Sequence, residues 1–113
     1  ELEVRLDAIK ALSADQLTMA QQEGTPSLMG AAALKIRSSE FQQAALDTIM
    51  EVCGRHGLAY QADAMDSGWN GEQMGPDRMA GLIHEHLYIR AATIYGGSTE
   101  VQKNIIAKGV LGV

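Results

Sequence analysis

Apolar and polar positions recur along this chain with the period of an α-helix. Near the start, Leu2, Leu6 and Ile9 lie three or four residues apart, and polar side chains fall between them. This pattern predicts a first helix over residues 2–22. Gly24 follows the last periodic position, as glycines often do at the ends of helices.

A second, longer helix is predicted over residues 26–53. Thr25 fits the N-cap, and Pro26 fits the first helical position, where a missing N–H does no harm. The apolar stripe of this segment is wide, which is typical of a helix that contacts more than one neighbour. The stripe consists of Leu28, Ala32, Leu34, Ile36, Phe41, Ala45, Ile49 and Val52.

The helical pattern stops in the segment 54–81, which holds half of the chain's 12 glycines. A loop of this length inside a compact domain is normally functional or covered by a partner. Trp69 lies in its middle, and we expect a further domain or another subunit to cover this side chain.

Helical spacing resumes in the last third of the chain. It predicts a third helix over residues 77–95, where Ile83, Leu87 and Ile94 share a face. A fourth helix is predicted over residues 99–108. Gly109 is expected to stop the fourth helix. No strand pattern is visible, so the sequence predicts an all-α fold, an up-and-down bundle of about four helices with one long Gly-rich loop.

Composition excludes several classes of function. The chain has 113 residues, enough for one domain, and its net charge of -5 argues against nucleic-acid binding. No apolar run is long enough to span a membrane, and the N-terminus lacks the features of a secretory signal. Cys53 is the single cysteine, which fits a reducing compartment and a cytoplasmic protein. We expect it to be a small core residue.

Metal binding is not expected. His84 and His86 lie two positions apart on a helix and therefore point to different faces.

The richest local signal is the turn between the third and fourth helices. Gly96 and Gly97 allow a sharp bend and a close approach of the main chain to another molecule. Ser98 and Thr99 are good helix caps, and Thr99 with Gln102 has capping-box spacing. The free N–H groups of a helix start suit a phosphate or a polar heterocycle. From these residues alone, an ordinary helix–helix corner remains the alternative.

Residues 93–107 read Thr-Ile-Tyr-Gly-Gly-Ser-Thr-Glu-Val-Gln-Lys-Asn-Ile-Ile-Ala, and Val-Leu-Gly follows at 110–112. This run closely resembles the C-terminal block of the acyl-CoA dehydrogenase family. The resemblance implies a flavoprotein that uses FAD to oxidise acyl-CoA thioesters at the α,β bond. It also implies an electron-transfer flavoprotein as electron acceptor and a homo- or hetero-oligomer.

The resemblance further implies that residues 1–113 are the C-terminal helical domain of a longer protein. A member of the family has an N-terminal helical domain and a β-rich middle domain before this part. The chain itself favours the same interpretation, because the helical pattern is already under way at Glu1, with no cap and no initiator Met.

The family also carries a glutamine and a Gly-Gly-x-Gly turn at the end of a long helix, near the FAD of a neighbouring subunit. Here Gly54 and Gly57 match family glycines, Glu51 stands where glutamine is usual, and Arg55 stands where the second glycine is usual. The resemblance therefore implies cofactor contacts for Glu51, Gly54 and Arg55. The permanent charge of Arg55 would favour a pyrophosphate.

In the fourth-helix block, Gly97 matches a family glycine near the thioester or flavin. Ser98, Thr99 and Glu100 match positions that contact the cofactor. We expect Glu100 to bind a hydroxyl or amino group rather than a phosphate, because its charge would repel a phosphate.

Gly96 stands where medium-chain-type members have the glutamate that removes the α-proton. No catalytic residue is therefore assigned in this chain, and the base would come from an upstream segment or a partner subunit. Two alternatives stay open. One is a non-catalytic structural subunit of a hetero-oligomeric acyl-CoA dehydrogenase, and the other is a cofactor-free helical interaction module.

Overall fold

The computed structural model of the chain describes residues 1–76 and 79–112. Four α-helices follow one another, and no strand occurs in this part of the chain, so the all-α prediction is confirmed. The α-helices are α1 (Leu2–Glu23), α2 (Leu28–Cys53), α3 (Leu82–Tyr88) and α4 (Thr99–Leu111). Three short 3₁₀ helices lie at Gly54–Leu58, Asp63–Met65 and Ile89–Thr93.

The chain divides into two compact units. The first consists of Glu1–Gln42 and Ala91–Val113, and the second of Gln43–Arg90. Helix α2 contributes its first part to one unit and its second part to the other.

In the first unit, α1 and α2 approach each other closely at Gly30. The Gln16 side chain of α1, 8% exposed, lies where a Cβ on Gly30 would be. Further along α2, Ala32, Ile36 and Ser39 are buried. Helix α4 contacts the start of α2, because the Met29 side chain occupies the space beside Gly109.

In the second unit, an ion pair joins α2 to the segment after α3. Arg90 Nη2 lies 2.8 Å from Asp47 Oδ1 and 3.4 Å from the main-chain oxygen of Gln43. The Gln43 amide in turn donates to the carbonyls of Ile89 and Arg90 at 3.3 and 3.4 Å. His86 Nδ1 lies 3.4 Å from Asp47 Oδ1. These contacts hold Ile89 and Arg90, the first residues of the Ile89–Thr93 segment, against α2.

Helix α1 ends within a residue of its predicted end, but the start of α2 was predicted two residues too early. Gly24 ends α1 in the left-handed conformation, at φ 79°. The next residues complete the turn, and the Ser27 hydroxyl accepts the N–H of Gly30 at 3.3 Å. The cap of α2 is therefore Ser27, not Thr25, and Pro26 lies outside the helix.

The third helix is shorter than predicted. Its expected start at residue 77 lies outside the described residues, and α3 itself covers only Leu82–Tyr88. The backbone then tightens into the 3₁₀ segment Ile89–Thr93 and turns before Gly96. Leu87 and Ile94 are exposed, so the apolar spacing that predicted one long helix does not mark a buried face within this chain.

Gly109 does not stop α4. The helix continues to Leu111 and ends at Gly112, which has φ 70° and donates its N–H to the carbonyl of Lys108. Glycine at 109 costs about 1 kcal/mol of helix propensity but leaves room for Met29.

Many large apolar side chains are exposed within this chain, including Val52, which is 83% exposed, and no large side chain in its described part is completely buried. Trp69 and Cys53 are half-buried. The predicted stripe on α2 is thus fully buried only in its N-terminal half, at Ala32 and Ile36.

Candidate functional site

The turn before α4 exposes bare main chain. Gly96 has φ 64° and Gly97 has φ 89°, a region that side-chain-bearing residues rarely adopt. Ser98 then caps α4, because its hydroxyl oxygen accepts the N–H of Val101 at 3.4 Å. We call residues 96–100 the glycine corner. The predicted bend and the predicted Ser98 cap are both present.

The two glycines of the corner differ in what surrounds them. A Cβ on Gly96 would meet nothing within 4 Å, whereas a Cβ on Gly97 would strike the Gln102 amide nitrogen. That amide donates to the carbonyl of Gly96 at 3.2 Å and so covers Gly97. The open space for another molecule therefore lies at Gly96.

The capping box predicted for Thr99 and Gln102 does not form. Because Ser98 is the cap, the third helical position is Val101, and Gln102 comes one position too late. Thr99 instead donates its hydroxyl to the carbonyl of Thr93 at 3.4 Å. This bond ties the start of α4 to the 3₁₀ segment before the turn.

The carboxylate of Glu100 is held at the helix start. Its own backbone N–H, then the side chain of Ser98, lower the pKa of Glu100 below its ordinary value, and Lys103 and Lys35 add smaller effects. A negative charge at this end of the helix is favourable. The corner therefore already has an anion at its N–H groups, so it suits an uncharged polar group of a ligand better than a phosphate.

Lys35 is a residue near the corner that the sequence did not indicate. It lies on α2 close enough for its charge to lower the pKa of Glu100. Its ammonium nitrogen is buried and has no hydrogen-bond partner in the described part of the chain. Nothing in the spacing of α2 marks this lysine, because its position depends on how α4 packs.

The second glycine turn lies at the end of α2, in the other unit. Gly54 directly follows the helix with φ 53°, as expected of a glycine that ends a helix, and a Cβ there would meet nothing within 4 Å. Glu51 and Arg55 are both exposed on either side of it. These three residues form an accessible turn with one acidic and one basic side chain.

Gly57, three residues on, has a packing role. It is buried, and a Cβ there would come within 3.2 Å of Cys53 Cβ and 3.3 Å of Leu82 Cδ2. This glycine lets the 3₁₀ helix Gly54–Leu58 lie against α3, and Cys53 takes part in the same packing.

The two histidines of α3 have different surroundings, as their spacing predicts. His84 stacks on Tyr88 with ring centroids 6.3 Å apart, whereas His86 faces Asp47. Among residues 1–76 and 79–112, no group of three metal-ligating side chains comes together. In the same part of the chain, no helix has the length and apolar character that crossing a bilayer requires.

The fold and the two glycine turns define an all-α domain that presents bare main chain at helix ends. The chain belongs to the acyl-CoA dehydrogenase family, since the profile of that family's C-terminal domain matches residues 1–111. This confirms the resemblance found in residues 93–107.

Two curated relatives are similar to part of the chain. Both are proteins named acyl-CoA dehydrogenase IpdE1, one from Mycobacterium tuberculosis and one from Mycolicibacterium smegmatis. Each is 64% identical over 28 residues, which is 25% of this chain and 7% of the relative. The chain therefore matches a small fraction of these relatives' length. No solved structure is significantly similar to it.

Proposed function

We propose that this chain is the C-terminal helical domain of an FAD-dependent acyl-CoA dehydrogenase that desaturates an acyl-CoA thioester at its α,β bond. In this proposal N-terminal helical and middle β domains precede residue 1. FAD would accept the hydride removed from the substrate. The chain would contribute part of the cofactor site, part of the acyl pocket and an oligomer interface.

The observation that carries the proposal is the open main chain at the glycine corner. Gly96 leaves space for another molecule, and α4 begins two residues beyond Gly97. Ser98, Thr99 and Glu100, at the start of α4, would offer hydroxyls and a carboxylate to that molecule. Such a set suits hydroxyl and amino groups of a dinucleotide, and Gly97 would lie beside the thioester or flavin.

The turn after α2 would contact the charged part of the cofactor. Arg55 is exposed, and Gly54 beside it leaves its main chain accessible. A guanidinium offers several N–H groups in the geometry that pyrophosphate oxygens accept. Glu51 would accept a hydrogen bond from a cofactor hydroxyl.

The chain would not supply the catalytic base. Gly96 has no side chain, and we assign no other residue to the removal of the α-proton. A carboxylate from an upstream segment or a partner subunit would take this role. Electron-transfer flavoprotein is the proposed electron acceptor, and the proposed location is cytoplasmic.

Acyl-CoA titration of the purified full-length protein, with the domains proposed to precede residue 1, tests this function. The proposal expects bound yellow flavin that bleaches when a series of acyl-CoA thioesters is added without oxygen. Protein that never retains flavin, under any purification that preserves its fold, would contradict the proposal and favour a cofactor-free helical interaction module.

Gly96 favours one second candidate, a non-catalytic subunit of a hetero-oligomeric acyl-CoA dehydrogenase. Such a subunit would retain flavin or the oligomer interface but would not bleach alone with any thioester. Bleaching that appears only after a second subunit is added would support this candidate over the first.

A further inference from the structure

The long loop between α2 and α3 forms an open cavity that the proposed flavin chemistry does not use. Its volume is about 370 Å³, and the residues that line it include Tyr60, Asp63, Trp69 and Glu72. Among residues 1–76 and 79–112, no basic residue lines it. We propose that this cavity binds an organic ammonium cation.

Two hydrogen bonds of one side chain fix the loop around the cavity. The Gln61 side chain donates to the main-chain oxygen of Met74 at 3.1 Å and accepts the Met74 N–H at 2.8 Å. These two bonds join residues that are 13 positions apart. Both ends of the cavity wall are therefore fixed by a single amide side chain.

Trp69 is fixed by a glycine. A Cβ on Gly71 would come within 2.8 Å of the indole ring, so only a residue without a side chain lets the ring lie where it does. The ring is half-buried and forms part of the cavity wall.

The chemistry of the wall selects the ligand. Aromatic faces attract cations, and tryptophan does so most strongly. Asp63 and Glu72 add negative charge, and neither forms an ion pair within the described part of the chain. A cavity of this size holds a small amine or the end of one lysine side chain. An anion or an uncharged apolar ligand would leave both carboxylates without a partner.

A titration with organic cations tests the proposal, with Trp69 as the reporter. Protein containing 5-fluorotryptophan is titrated with tetramethylammonium and n-butylammonium chloride, and sodium chloride matches the ionic strength. The Trp69→Phe variant identifies the Trp69 signal in the ¹⁹F spectrum. We expect a saturable shift of that signal with both organic cations and none with sodium.

Neutral variants of the two acids identify the cavity as the site. Asp63→Asn and Glu72→Gln should each weaken binding about fivefold, since each removes one charge near the cation. Asp15→Asn, which removes an exposed acid on α1, should leave the affinity unchanged. No saturable shift with either cation, or equal affinity in both neutral variants and the parent, would overturn the proposal.

A third probe distinguishes the source of the cation. Nα-acetyl-lysine methylamide carries the same ammonium as n-butylammonium but presents it on a peptide backbone. Equal affinities indicate a free amine, and tighter binding of the lysine derivative indicates a side chain of another protein.

Discussion

At the scale of single residues, neighbouring glycines in one sequence motif have different tasks. Gly97 needs its left-handed backbone and also makes room for the Gln102 amide, whereas Gly96 faces open space. Both look equivalent in the sequence. A ligand can therefore approach the main chain most directly at Gly96, and Gln102 would have to move before anything approached Gly97 from its covered side.

Ser98 connects the cap of α4 to the charge state of Glu100. We expect Ser98→Ala to destabilise the helix start by about 1 kcal/mol, because the Val101 N–H loses its acceptor. The same change should raise the pKa of Glu100 towards its ordinary value, since the Ser98 side chain is one cause of the lowered pKa. An NMR titration of the Glu100 carboxyl carbon measures this directly.

The sign of the pH effect follows from the direction of the shift. A carboxyl group whose folded pKa is lowered adds stability above its unfolded pKa, and this contribution is lost as the pH falls through the folded pKa. Parent protein and Ser98→Ala should therefore differ more at neutral pH than below the folded pKa of Glu100. An unchanged Glu100 titration in the variant would show that Ser98 does not contact it.

At the scale of elements, α4 is anchored by its contact with the start of α2. In an exposed helix, Gly109→Ala would stabilise by about 1 kcal/mol. Here the added methyl would meet the Met29 side chain, so we expect little gain or a loss in the parent protein. In a Met29→Ala background, Gly109→Ala should again stabilise the protein by about 1 kcal/mol.

Urea denaturation of the parent protein, Gly109→Ala, Met29→Ala and the double variant measures the coupling energy between positions 29 and 109. Equal effects of Gly109→Ala in both backgrounds would mean that α4 does not pack on Met29 in solution.

The ion pair between Asp47 and Arg90 organises the second unit. Both side chains are partly exposed, at 47% and 42%, so Asp47→Asn should cost less than 1 kcal/mol. Arg90→Ala should cost more, about 1–2 kcal/mol, because Arg90 also donates to the carbonyls of Gln43 and His86. Added salt should reduce the effect of Asp47→Asn and leave most of the effect of Arg90→Ala.

Thermal unfolding of both variants at low and high salt tests this ranking. A larger loss from Asp47→Asn than from Arg90→Ala would show that the ion pair, not the main-chain bonds, holds the segment.

The elements that the sequence predicted well are those with a long, regular apolar repeat. α1, α2 and α4 fit this description, and their bounds were wrong by at most three residues. The third helix was too long because the spacing of Ile83, Leu87 and Ile94 continues across a change from α to 3₁₀ geometry. Apolar spacing alone does not distinguish these two backbones.

The candidate site was predicted only where neighbouring residues determine the local structure. The bend at Gly96 and Gly97 and the Ser98 cap are local, so the residues themselves indicate them. The burial of Lys35 near Glu100 depends on the packing of α2 and α4 and has no local signal. The position of Gln102 over Gly97 follows only once Ser98, rather than Thr99, is known to be the cap.

At the scale of the whole molecule, many large apolar side chains are exposed among the described residues. Residues such as Leu28, Val52 and Leu111 are at least 70% exposed. The proposed upstream domains and the proposed oligomer interface would remove such side chains from water.

The central claim is that the glycine corner contacts a flavin dinucleotide, and a pair of matched substitutions tests it. Gly96 and Gly112 have similar positive φ angles, 64° and 70°, and a Cβ would meet nothing within 4 Å at either position. Gly96→Ala and Gly112→Ala should therefore destabilise the backbone by a similar amount, about 1 kcal/mol.

Only Gly96→Ala adds a methyl group where the cofactor would lie. The decisive measurement is the flavin-to-protein ratio of the two variants, purified as full-length protein and read from their absorbance. We expect a ratio near the parent value for Gly112→Ala and a loss of most flavin for Gly96→Ala. Equal flavin content in the two variants would contradict it.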